Sequence, residues 1–163
     1  IRIIDGDTIH INKFKYRLHG IDAPEMKQLC KIKEKNYKCG VKSKDFLVSL
    51  IGNQSVKCNK KDIDRYKRIV AECFVGQTNL NKELVRNGWA LAYRDYSKDY
   101  IVDEEFAQEN NLGLWKGTFI HPKKSDSGPT SIQNLYLYIK YIAANVMLMR
   151  LGTFSWYEVH SIL

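Results

Sequence analysis

A chain of 163 residues is long enough for one domain with a real core and too short for two of ordinary size. Its 44% apolar and 12% aromatic content is ordinary for a soluble globular protein and sufficient for folding. Lys and Arg exceed Asp and Glu by 26 to 18, a net charge of +8, which favours a polyanionic partner, although a basic solvated surface reads the same way.

Residues 1–22 carry short β-rich runs broken by Gly6, Asp7 and Asn12-Lys13, with Ile9, Ile11, Tyr16 and Leu18 as their alternating apolar side. Residues 26–38 are polar and Lys-rich without periodicity, and read as an exposed loop. Across 40–50, Val41, Phe46, Leu47 and Leu50 fit one buried helical face. Residues 54–59 and 69–74 read as the two strands of a hairpin. Residues 79–87 read as a helix with Leu80, Leu84 and Val85 inward and Gly88 at its stop. A short apolar segment, 89–93, precedes a further helix over 99–111, where Asp103, Glu104 and Glu105 suit the positive end of the dipole and Gly113 ends the run.

Five short strands interrupted by helices give an α+β domain. An OB-type barrel is one such arrangement, and periodicity does not choose it. Past residue 122 the composition changes: 123–131 read as a Ser/Gly/Pro/Lys linker and 132–163 as a hydrophobic tail. In that tail Ile132, Leu135, Ile139, Ile142, Val146 and Met149 recur at helical spacing. Lys140 and Arg150 leave only nine uncharged residues between them, against the about 20 apolar residues of a membrane span. An amphipathic helix, a partner-binding tail and a non-native extension all remain open.

Opposed residues of an antiparallel hairpin share a constant index sum. For Cys58 and Cys73 the sum is 131, which sets the turn between Arg65 and Tyr66 and places both sulfurs on one face of neighbouring strands. Cys30 and Cys39 bracket the Lys-rich segment. Zinc competes as a reading, but no pair has C-x-x-C spacing and no histidine lies near. Two disulfides and an oxidising compartment are therefore expected. The sequence begins at Ile1 rather than Met, so a native start further upstream is expected, and a signal peptide is neither read nor excluded.

Three islands carry the chemistry: Asp5-Gly6-Asp7-Thr8, then Tyr16-Arg17-Leu18-His19-Gly20-Ile21-Asp22-Ala23-Pro24-Glu25, then Asp64-Arg65-Tyr66-Lys67-Arg68. The first, alone, reads as a β-turn with capping side chains. If Asp7 and Asp22 converge at the ends of adjacent strands, two carboxylates with a backbone carbonyl and waters make an all-oxygen site suited to Ca²⁺. Glu25 alone is an exposed loop glutamate. Arg17 lies in a strand that otherwise reads buried, which is unusual for an unpaired charge. Arg68 begins a strand beside a turn, where a surface ion pair is the plainer reading. Guanidinium groups grip phosphate oxygens bidentately, as lysine does not. Tyr66, Tyr93 and Tyr96 have the chemistry to stack on bases, although ten tyrosines make packing the commoner role.

The order and spacing of these islands resemble the staphylococcal nuclease (thermonuclease) family over residues 1 to about 116. Asn81-Lys82-Glu83-Leu84-Val85-Arg86-Asn87-Gly88-Trp89-Ala90 and Gly113-Leu114-Trp115 extend the match. The chain is most similar to the bacterial secreted branch with paired cysteines. The resemblance implies a five-stranded OB-fold barrel with about three helices, spanning residues 1–122. It implies a calcium-dependent nuclease that cleaves DNA and RNA with low sequence specificity, water attack on phosphorus leaving 3′-phosphate products. It assigns the cation to Asp7, Asp22 and the Ala23 carbonyl, and activation of water to Glu25. Arg17 and Arg68 stabilise the transition state, while Arg65, Tyr66 and Tyr93 line the substrate pocket. Single- and double-stranded DNA and RNA are the implied partners of a monomer, secreted or periplasmic, with no stable protein partner expected; membrane contact by the tail stays open but is not the expected reading. Three departures stand out: Lys67 where glycine is usual, a start inside the first strand that leaves one barrel edge incomplete, and residues 123–163, which have no counterpart in the family. Ala23 stands where threonine is frequent, a change that a backbone ligand survives. The rival reading is a catalytically silent OB-fold module that binds nucleic acid or protein. Against it, carboxylates clustered beside phosphates repel them unless a cation is present.

Overall fold

The structure is a computed structural model that describes residues 1–120. Along the chain run β1 (Arg2–Ile3), β2 (Thr8–Ile11), β3 (Phe14–Leu18), β4 (Ile21–Asp22), β5 (Leu29–Ile32), β6 (Lys35–Lys38) and α1 (Cys39–Ile51). There follow β7 (Lys57–Ile63), β8 (Ile69–Val75), β9 (Thr78–Asn79), α2 (Leu80–Arg86), β10 (Leu91–Ala92), α3 (Ile101–Glu109) and a 3₁₀ turn over Gly113–Lys116. The architecture is α+β, as expected. The principal sheet runs β1-β2-β3-β8-β7 with β9 added to β8, and two small pairs, β4–β10 and β5–β6, lie outside it.

Register decides what each strand shows to the core. Ile9 faces Tyr16 across β2–β3, and Leu18 faces Ala71 across the parallel β3–β8 ladder. Side chains alternate along a strand, so these residues share one face while Thr8, Arg17 and Val70 share the other. The first face is the core: Ile9, Leu18, Ala71 and Cys73 are buried, with Ile11 and Tyr16 packed against them. Arg17, read from sequence as a charge in a buried strand, instead lies on the face turned away from this core. α2 closes the core with Leu80, Leu84 and Val85, its first turn capped by Asn79, which accepts from the Lys82 N–H at 3.1 Å. Buried Asn81 is fully used: it accepts from the Cys73 N–H and donates to the His19 and Ala71 carbonyls, tying β8 to the corner after β3.

Several sequence expectations need correction. Residues 26–38 are not a loop but the hairpin β5–β6, with Ile32 opposite Lys35 across a two-residue turn. Lys33 and Glu34 both take positive φ (46° and 64°), a turn geometry whose usual Asn-Gly signature is missing here. The hairpin's first strand is β7 at Lys57–Ile63, later than the expected 54–59. Cys58 does stand opposite Cys73, but a one-residue irregularity between Lys60 and Asp62 moves the turn's centre to Tyr66. Asp103 and Glu104 do stand in the first turn of α3, as expected, and both are also buried ion-pair and hydrogen-bond acceptors. Gly113 opens the 3₁₀ turn instead of ending α3, which stops at Glu109. The linker 123–131 and the tail 132–163 lie outside the described residues.

Both expected disulfides are present, Cys30–Cys39 with Cα atoms 5.6 Å apart and Cys58–Cys73 at 4.1 Å. They are consistent with an oxidising location.

Candidate active site

The turn between β1 and β2 delivers Asp7 to the end of β2. Asp5 shapes it by accepting the Asp7 N–H at 3.0 Å. Gly6 is dictated by packing: a Cβ there would stand 2.0 Å from Ser43 Oγ and 2.7 Å from the Ala23 Cβ, so α1 rests directly on the turn. Asp7 is buried, accepting the Thr8 hydroxyl on Oδ1 at 3.1 Å and the Ala23 N–H on Oδ2 at 2.8 Å.

Arg17 joins the two aspartates. Its Nη1 stands 2.6 Å from Asp7 Oδ2, although not aligned for a hydrogen bond, and its Nη2 donates to Asp22 Oδ1 at 3.0 Å. Burial pushes the Asp7 carboxyl up to about 7, against the pull of Arg17 and the Ala23 N–H, with Asp5 and Asp22 adding to the rise. An all-oxygen set of Asp7, Asp22 and a backbone carbonyl matches the donors that a hard divalent cation takes, so the residues fit Ca²⁺. Among the described residues no group of three or more His, Cys, Asp or Glu side chains is placed to hold a metal ion by itself, so backbone oxygen and water would have to complete such a site.

Glu25 follows three residues after Asp22, beyond the buried Pro24, and is exposed with no partner for its carboxylate among the described residues. Its backbone is nevertheless fixed. Gln28 donates its N–H to the Glu25 carbonyl at 2.8 Å, and a Cβ on Gly40 would fall 1.9 Å from that same oxygen. The first turn of α1 is therefore pressed against Glu25 as its middle is pressed against Gly6.

Arg68 belongs to a second cluster at the β7–β8 turn. Asp64 Oδ2 receives its Nε at 2.6 Å, while Oδ1 receives the N–H groups of Tyr66 and Arg68, each at 2.9 Å. Burial raises the Asp64 carboxyl, but the Arg68 backbone and side chain and the Tyr66 N–H outweigh it and hold it below the usual range. Asp64, which orients Arg68, has no role in the sequence reading; a carboxylate four residues before an arginine across a tight turn is the available signal. Lys67 takes φ +62°, the left-handed geometry that explains why glycine suits this position, and the turn survives the substitution. The exposed Tyr66 ring lies under both Arg65 (4.8 Å) and Arg68 (5.4 Å).

The two clusters share a sheet face. Arg17 stands opposite Val70, and Arg68 precedes Val70 by two residues, so both guanidinium side chains leave the sheet on the side away from the core. Tyr93 adjoins the same site: β10 pairs Leu91 with Asp22, the Tyr93 N–H donates to the Gly20 carbonyl at 2.9 Å, and its ring packs on Tyr96 at 4.6 Å. The two residues flanking Tyr93 are anchored by buried Glu104, which accepts the Ala92 N–H at 2.9 Å and pairs with Arg94. Contact thus joins Asp7, Ala23, Arg17 and Asp22 in one group and Arg65, Tyr66 and Arg68 in another. Glu25 touches neither.

Residues 15–117 match the family described as staphylococcal nuclease homologue. The chain belongs to that family. A Haemophilus influenzae protein named "Uncharacterized endonuclease" is 38% identical over 122 residues, 71% of this chain and 64% of that protein. The "Micrococcal nuclease" of Shigella flexneri is 34% identical over 133 residues, covering 71% of each chain. "Probable staphylococcal-like nuclease CAN3" of rice is 32% identical over 111 residues, 67% of this chain and 27% of its own. The chain therefore spans just under two-thirds of the Haemophilus protein and about a quarter of the rice one. The staphylococcal nuclease homologue match takes in the second and third islands, while Asp5 and Asp7 lie before its first matched residue.

Proposed function

We propose that this chain is a calcium-dependent nuclease that hydrolyses phosphodiesters of DNA and RNA with low sequence specificity. The observation that carries the reading is one guanidinium, Arg17, held between two carboxylates on the same sheet face as a second arginine. That pairing of anionic and cationic groups suits a phosphodiester approached with a bound cation, and a pure binder gains nothing from it. In this reading the principal sheet is the wall of a five-stranded OB-type barrel within residues 1–122.

Asp7, Asp22 and the Ala23 carbonyl would hold Ca²⁺. When bound, the ion supplies charge stabilisation to a non-bridging phosphate oxygen. Arg17, held between the Asp7 and Asp22 carboxylates, would present its remaining N–H groups to the phosphate. Arg17 and Arg68 donate to the equatorial oxygens, where charge builds as the attacking and leaving oxygens line up. Glu25, exposed and unpaired on a fixed backbone, takes a proton from the attacking water, help worth about 10²–10⁴-fold in rate. Water attacks phosphorus, the bond to the 5′-oxygen breaks with Arg68 helping that oxygen depart and solvent supplying its proton, and a 3′-phosphate remains on the product. Tyr66, Tyr93 and Arg65 contact base faces and backbone, which read little sequence.

The test is release of acid-soluble nucleotides from single-stranded DNA by wild type and Glu25→Ala, with Ca²⁺ and with EGTA. Cleavage that requires Ca²⁺ and falls at least a hundredfold in the variant is expected. Binding without cleavage in the wild type would mark a silent module instead.

A further inference from the structure

The Lys-rich stretch 26–38, expected as an exposed loop, forms the β5–β6 hairpin that follows Glu25 in the chain. It holds five lysines, at 27, 31, 33, 35 and 38, against one acid, Glu34. All five lysines and Glu34 are exposed, and none of the lysines makes an ion pair among the described residues. Elsewhere lysines do find partners, as Lys61 does with Glu72 at 2.9 Å.

Register sorts the hairpin into two faces. Cys30 and Tyr37 oppose each other on the side that packs inward. Leu29 opposite Lys38, and Lys31 opposite Asn36, make the outer face. Lys31 and Lys38 are diagonal neighbours there, about 7–8 Å apart by ladder geometry. Two unpaired ammonium groups so placed repel, and the cheapest relief is a polyanion shared between them. Leu29, 51% exposed on the same face, adds an apolar surface for a sugar or base.

The hairpin's base is clamped rather than free. Cys30 is bonded to Cys39, the first residue of α1. The Lys31 N–H and carbonyl both pair with Thr118, each at 2.9 Å. Gln28 Nε2 donates to the Ile120 carbonyl at 2.7 Å. β5 begins four residues after Glu25, so the lysine-bearing strand follows the candidate base closely along the chain. Four residues of strand cover about 13 Å, the axial length of about four nucleotide steps.

We propose that the outer face of the β5–β6 hairpin is a second phosphate-binding site, which grips the polynucleotide backbone beyond the bond being cut. The proposal rests on the nuclease reading for its substrate. It makes the protein favour long chains over short ones by affinity, not by chemistry. The scissile phosphate is handled by the arginines, and the lysines add contacts that release counterions.

The experiment compares the full chain with Lys31→Gln/Lys33→Gln/Lys38→Gln and with the matching triple Arg variant. A fluorescein-labelled single-stranded oligodeoxynucleotide, long enough to run past the hairpin, is titrated in EGTA over a KCl series and read by anisotropy. In parallel, each protein is assayed with Ca²⁺ on a dinucleotide too short to reach the hairpin. The Gln variant is expected to bind the long strand about tenfold more weakly, with a log–log salt slope shallower by about 2. The Arg variant restores both, and dinucleotide turnover stays within twofold in all three. Unchanged long-strand affinity and salt slope in the Gln variant overturn the proposal. So does an equal loss on the dinucleotide, since the hairpin would then serve the catalytic centre itself. A wild type that binds the long strand but cleaves nothing sinks the nuclease reading while the binding comparison still decides the hairpin.

Discussion

Arg68 is held by Asp64 Oδ2 at 2.6 Å, while the same carboxylate collects two backbone N–H groups of its own turn. Its direction is therefore set before any substrate arrives, which is the condition under which a fixed cation lowers a barrier most. Arg68→Ala is expected to lower kcat by about 10²-fold or more, with an unchanged far-UV spectrum. Arg68→Lys should recover little, because an ammonium does not reproduce the paired N–H geometry. Near wild-type turnover in either variant, measured on single-stranded DNA, would remove Arg68 from the mechanism. A second residue-scale prediction concerns Glu72, which receives Lys61 Nζ at 2.9 Å and the Tyr100 hydroxyl at 3.0 Å. The Lys61 hydrogen bond is foremost in holding this carboxyl below its ordinary value, ahead of the opposing effect of burial. A folded value below the unfolded one, about 4.3, gives stability that is present above that pH and lost as pH falls through the folded value. Glu72→Gln should therefore cost more in urea midpoint at pH 7 than at pH 3. An equal cost at both would refute the linkage.

At the scale of elements, what the sequence disclosed and what it hid follow from where each signal resides. The Cys58–Cys73 pairing was legible because a hairpin's index sum is geometry, and the ladder over residues 57–60 keeps that sum. The irregularity at Lys60/Asp62 was not legible, since no glycine or proline marks it. α2 was legible through Leu80, Leu84 and Val85 and the glycine stop at Gly88, whereas β5–β6 was masked by lysines in place of turn residues at Lys33-Glu34. The aspartates and arginines of the candidate site could be picked out from their islands. Their pairing through Arg17 depends on β2–β3 register and on α1 pressing against Gly6, which only the fold supplies. The Cys58–Cys73 bridge ties the two strands whose turn holds Arg68, across a sequence separation of 15. Closing a loop of that length stabilises by about 3 kcal/mol in the chain-entropy account. Cys58→Ala/Cys73→Ala should lower the unfolding free energy by about 2–4 kcal/mol. Reductant added to the wild type should lower it further than reductant added to this variant, because only the wild type still has this bridge to lose. A variant with an unchanged urea midpoint would show that the bridge adds nothing to the folded hairpin.

For the whole molecule, the question is how much of the chain the activity needs. Both apolar clusters, both disulfides and every candidate site residue fall within residues 1–120, and the family match ends at 117. Among the described residues, the larger cluster joins β2, β3, β8, α1 and α2, and the smaller seats Leu91 and Leu114 against the Cys30–Cys39 bridge. A chain ended after Lys124 is therefore expected to unfold in one cooperative transition, within a few degrees of the full chain. Its kcat/KM on single-stranded DNA should match within twofold. The basic hairpin also stays, so long-strand affinity should hold at every salt concentration. A truncated chain that folds but loses long-strand affinity would assign residues 125–163 a share of substrate binding. One that keeps activity but no longer sediments with membranes or a partner would make that segment an anchor. Loss of the cooperative transition itself would mean that the apolar residues after 131 complete the core, and the boundary placed at 122 would be wrong.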